Sequence, residues 1–350
     1  MKALVTGASG FVGSALCRTL SEAGHRVVAL SRDPTRAKSQ LPGEVECVRG
    51  SVALPKEVAQ AARGCEVIFH AAGLPPGEAP SRVLRWLHVA GTENVLRAAR
   101  HAGARRVVHI SCAEVSLHAG DRMHWDEARV LPHPPLGTHA QTKLISEELA
   151  LAQSDQRLQV TALRPAFLWG AGAVDSAAAL IREGRQRGIQ LYGGGRNIVA
   201  TTHISNLMRA ALLSADAEAA PSRAYYVTDA EFFEAREFFG RLSTALALPA
   251  PRLDGNPGFA LFLAGLNERV RGDAGAARAR ILGRARSALF DLSRATKDLA
   301  YTAHLDLNQE MEALARWVEA QGGPDGLLQK ARSPITAQDV DEQVRQAGGD

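Results

Sequence analysis

Lysine is scarce in this chain, at 6 of 41 basic residues, and cysteine, tryptophan and tyrosine number 4 each. The cysteines, at 17, 47, 65 and 112, are too few and too far apart for a disulfide scaffold. They also lack the close pairing of a zinc site. A reduced, cytoplasmic chain is the expectation. No apolar run approaches the roughly 18 residues of a membrane span. The longest, Gly258 to Leu266, reads as a buried or interfacial helix segment. Met1 leads directly into a strand pattern, so no signal peptide is expected. The net charge is only +4, and the basic residues form no block and no aromatic interleaving. Nucleic acid is therefore excluded as a main partner. Glycine shows no fixed period and 46% of residues are hydrophobic, which excludes collagen-like and disordered chains.

What is present, over 350 residues, is an alternation of short apolar runs and helical patterns. Strands are expected at Lys2 to Val5, Arg26 to Leu30, Val45 to Arg49, Glu66 to His70, Arg106 to Ser111 and Gln159 to Leu163. Helices are expected at Phe11 to Ala23, Val83 to His101 and Thr138 to Gln153. Such alternation implies an α/β chain with a parallel sheet covered by helices. After Pro165 the pattern becomes mainly helical and reads as a smaller lobe. Late strands of the main sheet are expected near Ala200 to His203 and Ala224 to Thr228. The expected division is 1–165, 166–321 and a loosely attached tail, 322–350.

The strongest local signal is Val5-Thr6-Gly7-Ala8-Ser9-Gly10-Phe11-Val12-Gly13, between the first strand and the first helix. Gly7 permits a tight turn, Gly10 lets backbone approach a pyrophosphate, and Gly13 lets the helix pack against the strand. The helix N-terminus offers free N–H groups and a positive dipole end to phosphate. This predicts a Rossmann-type, doubly wound fold binding a dinucleotide. At the end of the second strand, Ser31 and Arg32 stand where a carboxylate would bind a ribose diol. Serine can donate to a 2′-phosphate and arginine can grip one, so NADP is favoured over NAD.

These motifs resemble the extended short-chain dehydrogenases/reductases, in particular the 3β-hydroxysteroid dehydrogenase branch, with the NAD-dependent epimerases/dehydratases as relatives. The resemblance runs from residue 1 to about 320. It is carried by the glycine turn, His70-Ala71-Ala72-Gly73, Gly91-Thr92-Glu93-Asn94-Val95, Leu163-Arg164-Pro165 and Tyr225-Tyr226-Val227-Thr228-Asp229. It implies a cofactor site formed by Thr6, Gly7, Ser9, Gly10, Phe11, Val12, Gly13, Ser31, Arg32, Ser51, Val52, Ala71, Ala72, Gly73, Ser111, Lys143 and Pro165. It also implies a C-terminal substrate lobe, hydride transfer between NAD(P)(H) and a carbinol or carbonyl carbon, and a homodimer through the helices at 83–101 and 138–153.

Four reactive positions follow from the same resemblance, and three depart from it. Lys143 is the expected lysine, but His139 replaces the tyrosine four residues earlier, Cys112 replaces the serine and His88 the asparagine. Residues 139 and 143 share a helix face, and a neutral imidazole accepts a proton readily but donates one poorly. Each replacement also has a structural reading: a helix histidine at 139, an inert buried thiol at 112, a hydrogen-bonding filler at 88. His109, His203 and Asn206 read as structural, and Glu114, Asp126 and Glu127 as substrate contacts or solvated groups. His118, His124, His133 and His139 crowd one loop, but their irregular spacing and the prolines at 132, 134 and 135 give no metal site.

The leading expectation is an NAD(P)-dependent oxidoreductase acting on a secondary alcohol or ketone of an apolar small molecule, steroid-like or otherwise lipophilic. Two alternatives stay open: a cofactor-binding partner or sensor subunit with weakened chemistry, and a non-redox isomerase or lyase using Cys112 or His139 as base.

Overall fold

The computed structural model describes residues 1–75, 79–218, 220–271 and 275–332. Seven parallel strands form the central sheet: β1 (Lys2–Thr6), β2 (Arg26–Ser31), β3 (Glu46–Arg49), β4 (Val67–His70), β5 (Arg106–Ile110), β6 (Gln159–Pro165) and β7 (Arg223–Val227). Their order is β3-β2-β1-β4-β5-β6-β7, so the strand order reverses between β1 and β4. In an open α/β sheet a ligand binds outside the carboxyl ends of the strands at that reversal. β1, β4 and β5 are buried on both faces, which is why they read as continuous apolar runs.

The helices that position the site are α1 (Phe11–Glu22), α2 (Pro34–Gln40), α3 (Gly91–Ala102), α4 (Thr138–Ala152), α5 (Val174–Gln186), α6 (Ala276–Ala285) and α7 (Gly323–Lys330). One apolar core lies under α1, where Leu16, Cys17 and Leu20 pack on Val5 and Ala29. A second lies on the opposite face, where Val95, Leu96 and Ala99 of α3 meet Ile68 and Val107. The helix expected over 83–101 starts at Ser81 and widens into a π-helical turn over Trp86–Ala90 before α3. Such turns cluster at functional sites, and this one carries His88.

A third core, with Phe238, Phe239, Leu242, Met311 and Leu314, belongs to the C-terminal part of the chain. Buried Asp229 braces that junction. It accepts hydrogen bonds from the His203 backbone N–H (2.8 Å), Asn206 Nδ2 (2.7 Å), Thr201 Oγ1 (2.8 Å) and Trp169 Nε1 (3.1 Å). Asn206 is thereby structural, while the His203 ring lies 2.8 Å from Ser205 Oγ at Nδ1 and packs on Trp169.

Two expectations need correction, the place of 201–203 and the looseness of the tail, and a third is narrowed. Thr201–His203 does not join the central sheet; it pairs in parallel with Phe167–Trp169 instead. The apolar segment at 258–266 lies in a helix, Pro257–Arg271, as expected, and exposes Phe259, Phe262, Leu263 and Leu266, which removes the buried alternative and leaves the interfacial one. The tail is anchored as far as it is described: Leu327 of α7 is fully buried, and Arg185 of α5 pairs with Asp325 at 2.6 Å. Residues 333–350 lie outside the described residues.

Candidate active site

A cavity of about 1570 Å³ opens at the carboxyl ends of β1, β4 and β5 and runs on to α5 and α6. Its first stretch is the glycine turn. Gly7 has φ +69, and a Cβ there would lie 2.8 Å from Ala72 Cα. A Cβ on Gly13 would lie 2.2 Å from the Gly7 carbonyl oxygen, so α1 can sit this close to the turn only without a side chain. Gly10 caps α1 and no side chain satisfies the helix N-terminus. That leaves backbone donors facing the cavity, which suits a diphosphate.

Every residue expected at the cofactor lines this cavity except Thr6. Thr6 is fully buried behind the turn. Its hydroxyl accepts from the Ala72 N–H (3.2 Å) and lies 2.8 Å from His70 Nδ1. The other His70 nitrogen lies 3.0 Å from Thr92 Oγ1, which itself donates to the His88 carbonyl at 2.6 Å. Since the Thr92 proton is already committed, His70 donates from Nε2 and accepts from Thr6 at Nδ1. Thr6 therefore supports the cofactor loop from behind and does not face the cavity.

At the end of β2, the Ser31 hydroxyl donates to the Asp33 carbonyl at 2.9 Å. The Asp33 carboxylate caps α2 by accepting from the Arg36 N–H at 2.9 Å. The nearby carboxylate is thus engaged in a cap, while Arg32 and Arg36 line the cavity.

The reactive end gathers Ser111, Cys112, Glu114, His139 and Lys143 on one wall. Lys143 is buried and donates from Nζ to the Ile110 carbonyl at 2.6 Å. Burial pulls its ammonium below the ordinary lysine value. The Ser111 hydroxyl is buried with no partner among the described residues, a polar atom that a bound ligand can satisfy. Burial and the neighbouring Glu114 push the Cys112 thiol up to about 12, so it stays protonated and is a poor nucleophile. His88 is also buried, and both ring nitrogens are engaged. Nε2 accepts from the Leu74 N–H at 3.3 Å, so Nδ1 carries the proton toward Thr142 Oγ1 at 2.8 Å. That arrangement fits the filler reading and leaves no nitrogen for a proton relay.

His139 stands in the first turn of α4, with Nδ1 3.0 Å from Glu114 Oε2. Glu114 sits in the 3₁₀ turn Ala113–Ser116 that follows β5. Its side chain is accessible within the cavity, although protein surrounds it. Burial alone would raise the Glu114 carboxyl, but His139 and Arg122 more than offset this and hold it below the usual range. Cys112, Glu114 and His139 offer ligand atoms within 4.8 Å of one another. Lys143 and Arg122 flank the group, and their charge opposes a divalent cation. Of the four crowded histidines only His139 lines the cavity among the described residues; His118 stacks on Trp125 instead. Glu127 is structural, accepting from the Tyr226 N–H at 2.7 Å.

Sequence reasoning missed Arg332, whose guanidinium approaches the glycine turn, and the pairing of Glu114 with His139. Neither has a local signal, since both depend on segments far apart in the chain.

Comparison with known proteins places this geometry. The family model described as the NAD dependent epimerase/dehydratase family matches residues 3–227. A 2-alkyl-3-oxoalkanoate reductase of Stenotrophomonas maltophilia is 35% identical over 260 residues, 73% of this chain and 78% of that protein. A 4-hydroxy-2-methyl-3-oxo-4-farnesyl-3,4-dihydroquinoline-1-oxide ketoreductase of Stigmatella aurantiaca is 29% identical over 335 residues, 93% and 98% of the two chains. Among solved structures, MoeE5 in complex with UDP-glucose and NAD is similar with a TM-score of 0.71 and 27% identity, covering 92% of this chain and all of that one. With its glycine turn, its strand order and the match over residues 3–227, this chain belongs to the NAD-dependent epimerase/dehydratase family, within the extended short-chain dehydrogenases/reductases.

Proposed function

We propose that the protein is an NAD(P)-dependent oxidoreductase that reduces a ketone on a lipophilic small molecule, with His139 and Lys143 at the reacting end. The observation that carries this reading is the single cavity, which joins the glycine turn to Lys143 and His139 and then continues between apolar walls. Phe167, Leu168, Phe239, Phe290 and Trp317 line its far part, which supports a substrate side supplied by residues 166–321. Two of the named relatives, reductases of oxo compounds with alkyl or farnesyl chains, support an apolar substrate, whereas the similar MoeE5 structure holds UDP-glucose.

The glycine turn and the N-terminus of α1 hold the diphosphate in this reading, Lys143 holds the nicotinamide ribose, and Ser111 Oγ faces the reacting region. When bound, the reduced nicotinamide supplies the hydride; His139 handles the proton at the substrate oxygen. Arg32 and Arg36, with the Asp33 carboxylate engaged in its cap, favour NADPH over NADH.

Calorimetry with both cofactors and turnover with β-keto acids and cyclic ketones test the proposal. NADPH is expected to bind more tightly than NADH. Arg32→Ala should weaken NADPH binding by about 10-fold, as expected for one charge-assisted contact, and leave NADH nearly unchanged. Equal affinities unaffected by Arg32→Ala would remove the NADPH preference. Failure of both cofactors to bind would remove the oxidoreductase reading.

A further inference from the structure

We propose that Glu114 is the positioning residue that turns His139 into the proton donor and acceptor of this site, an inference that rests on the oxidoreductase reading. The difficulty with histidine at this position is chemical. A neutral imidazole that gives its only N–H proton to an alkoxide is left as imidazolate, a very poor outcome in water. A ring protonated on both nitrogens gives up the Nε2 proton and returns to neutral imidazole. The site needs a group that keeps a proton on Nδ1 and tolerates the second one.

Glu114 is that group. Its Oε2 lies 3.0 Å from Nδ1, and among the described residues Nδ1 is otherwise a buried atom without a hydrogen bond. The approach is close but bent. Such contacts are often poorly aligned before ligands bind and tighten in the complex. A carboxylate cannot donate, so the pair forms only with the proton on Nδ1, which leaves Nε2 for the cavity.

The other groups around the ring do not compete for this role. His88 packs edge-to-face on His139, with centroids 5.4 Å apart, but its nitrogens are engaged with Leu74 and Thr142. Burial and Lys143 hold His88 neutral. Lys143, one turn along α4, donates to Ile110. Arg122, from the strand Arg122–Trp125, donates to the Ala113 carbonyl at 3.2 Å. Cys112 keeps its proton. Glu114 thus supplies the negative charge in direct contact with the ring, against the positive charges of Lys143 and Arg122.

The step balances. A bound reduced nicotinamide would supply the hydride for the new C–H bond at the carbonyl carbon, which leaves the C=O π pair on oxygen. That oxygen takes the proton from His139 Nε2, whose N–H pair stays on the ring. The ketone is reduced, the nicotinamide is oxidised, and His139 ends neutral with its Nδ1 proton still toward Glu114. Solvent restores the second proton. Alcohol oxidation runs through the same atoms in reverse.

The test compares wild type with Glu114→Gln, Glu114→Asp, His139→Gln and the double variant Glu114→Gln/His139→Gln, all with NADPH bound. Expected is a loss in kcat of about 10²-fold for Glu114→Gln, within the range for one general acid. KM and cofactor affinity should stay within about twofold. The high-pH fall in reduction rate should move to lower pH, and Glu114→Asp should retain more activity. The double variant should be no worse than His139→Gln. Nitrogen-15 histidine spectra, assigned with His139→Gln, should show the proton on Nδ1 in wild type and a mixture in Glu114→Gln. Unchanged kcat and pH profile in Glu114→Gln, or additive losses, would overturn the proposal. A wild type that binds NADPH but reduces no ketone would overturn the oxidoreductase reading alone. The spectra still decide on Glu114, because an Nε2-protonated ring in wild type would overturn its role directly.

Discussion

At the scale of single residues, the site separates groups that face the cavity from groups that hold those groups in place. Thr6 belongs to the second kind, although it stands inside the glycine motif. Its hydroxyl links the Ala72 N–H to His70 Nδ1. Thr6→Val keeps the shape but leaves both partners buried without a bond. The expected destabilisation is about 1–3 kcal/mol, the cost of orphaned buried polar groups. Because Ala72 lies 2.8 Å from the Cβ position of Gly7, loosening that loop should also weaken cofactor binding. Urea unfolding and NADPH calorimetry measure the two effects; a stable variant with normal affinity would refute the link. The replacements at 88, 112 and 139 were legible in the sequence, because they are read at offsets from Gly91, from the fifth strand and from Lys143. Their chemistry was not. The tautomer of His88 depends on Leu74, and the setting of His139 depends on Glu114 in another segment.

At the scale of elements, the strand, turn and helix at the amino end were legible because the glycine spacing reports directly on close backbone packing. The π-helical turn over Trp86–Ala90 was not, since a one-residue widening leaves the helical periodicity nearly intact. Its effect is to bring His88 beside a layer of buried imidazoles on β4 and β5. His70 and His109 face each other across the sheet, in register and with centroids 5.2 Å apart. Burial, reinforced by Lys143, pulls His70 down to about 3 and holds His88 and His109 well below the ordinary value. In the unfolded chain each titrates near 6.5. The unfolded state therefore binds more protons below pH 6.5, so stability is fully present above that pH and falls as pH drops toward the folded values. Each such histidine removes on the order of 1 kcal/mol of stability per pH unit over that window, and the three act in the same direction. Urea midpoints should fall steeply from pH 6.5 to 5.5 and stay nearly flat from 8 to 7. His109→Gln should reduce the slope by roughly a third, and a midpoint insensitive to pH below 6.5 would contradict this account.

At the scale of the whole molecule, the far end of the chain returns to the opening turn. α7 packs against α5, and the Lys330 carbonyl accepts from Arg36 Nη2 at 3.1 Å. Arg332 then closes on Asp175 in the first turn of α5, with its backbone N–H at 2.9 Å and its Nε at 2.7 Å. The same guanidinium lies 3.8 Å from where a Gly10 side chain would begin, within the cavity wall. The sequence pattern could not reveal this, because charge and glycine near a terminus look the same whether anchored or loose. A cation beside a helix N-terminus adds to the field that favours phosphate. Arg332→Ala should therefore weaken NADPH binding by about fivefold to tenfold, the low end for a charge-assisted contact on a partly exposed side chain. Asp175→Asn keeps the guanidinium but loosens its anchor, so it should lose less affinity than Arg332→Ala while losing comparable thermal stability. Calorimetry and thermal unfolding of the two variants separate the roles. If Arg332→Ala lowers stability and leaves NADPH affinity intact, the C-terminal helix is a brace between α2 and α5, and the phosphate site is built by the amino-terminal half alone.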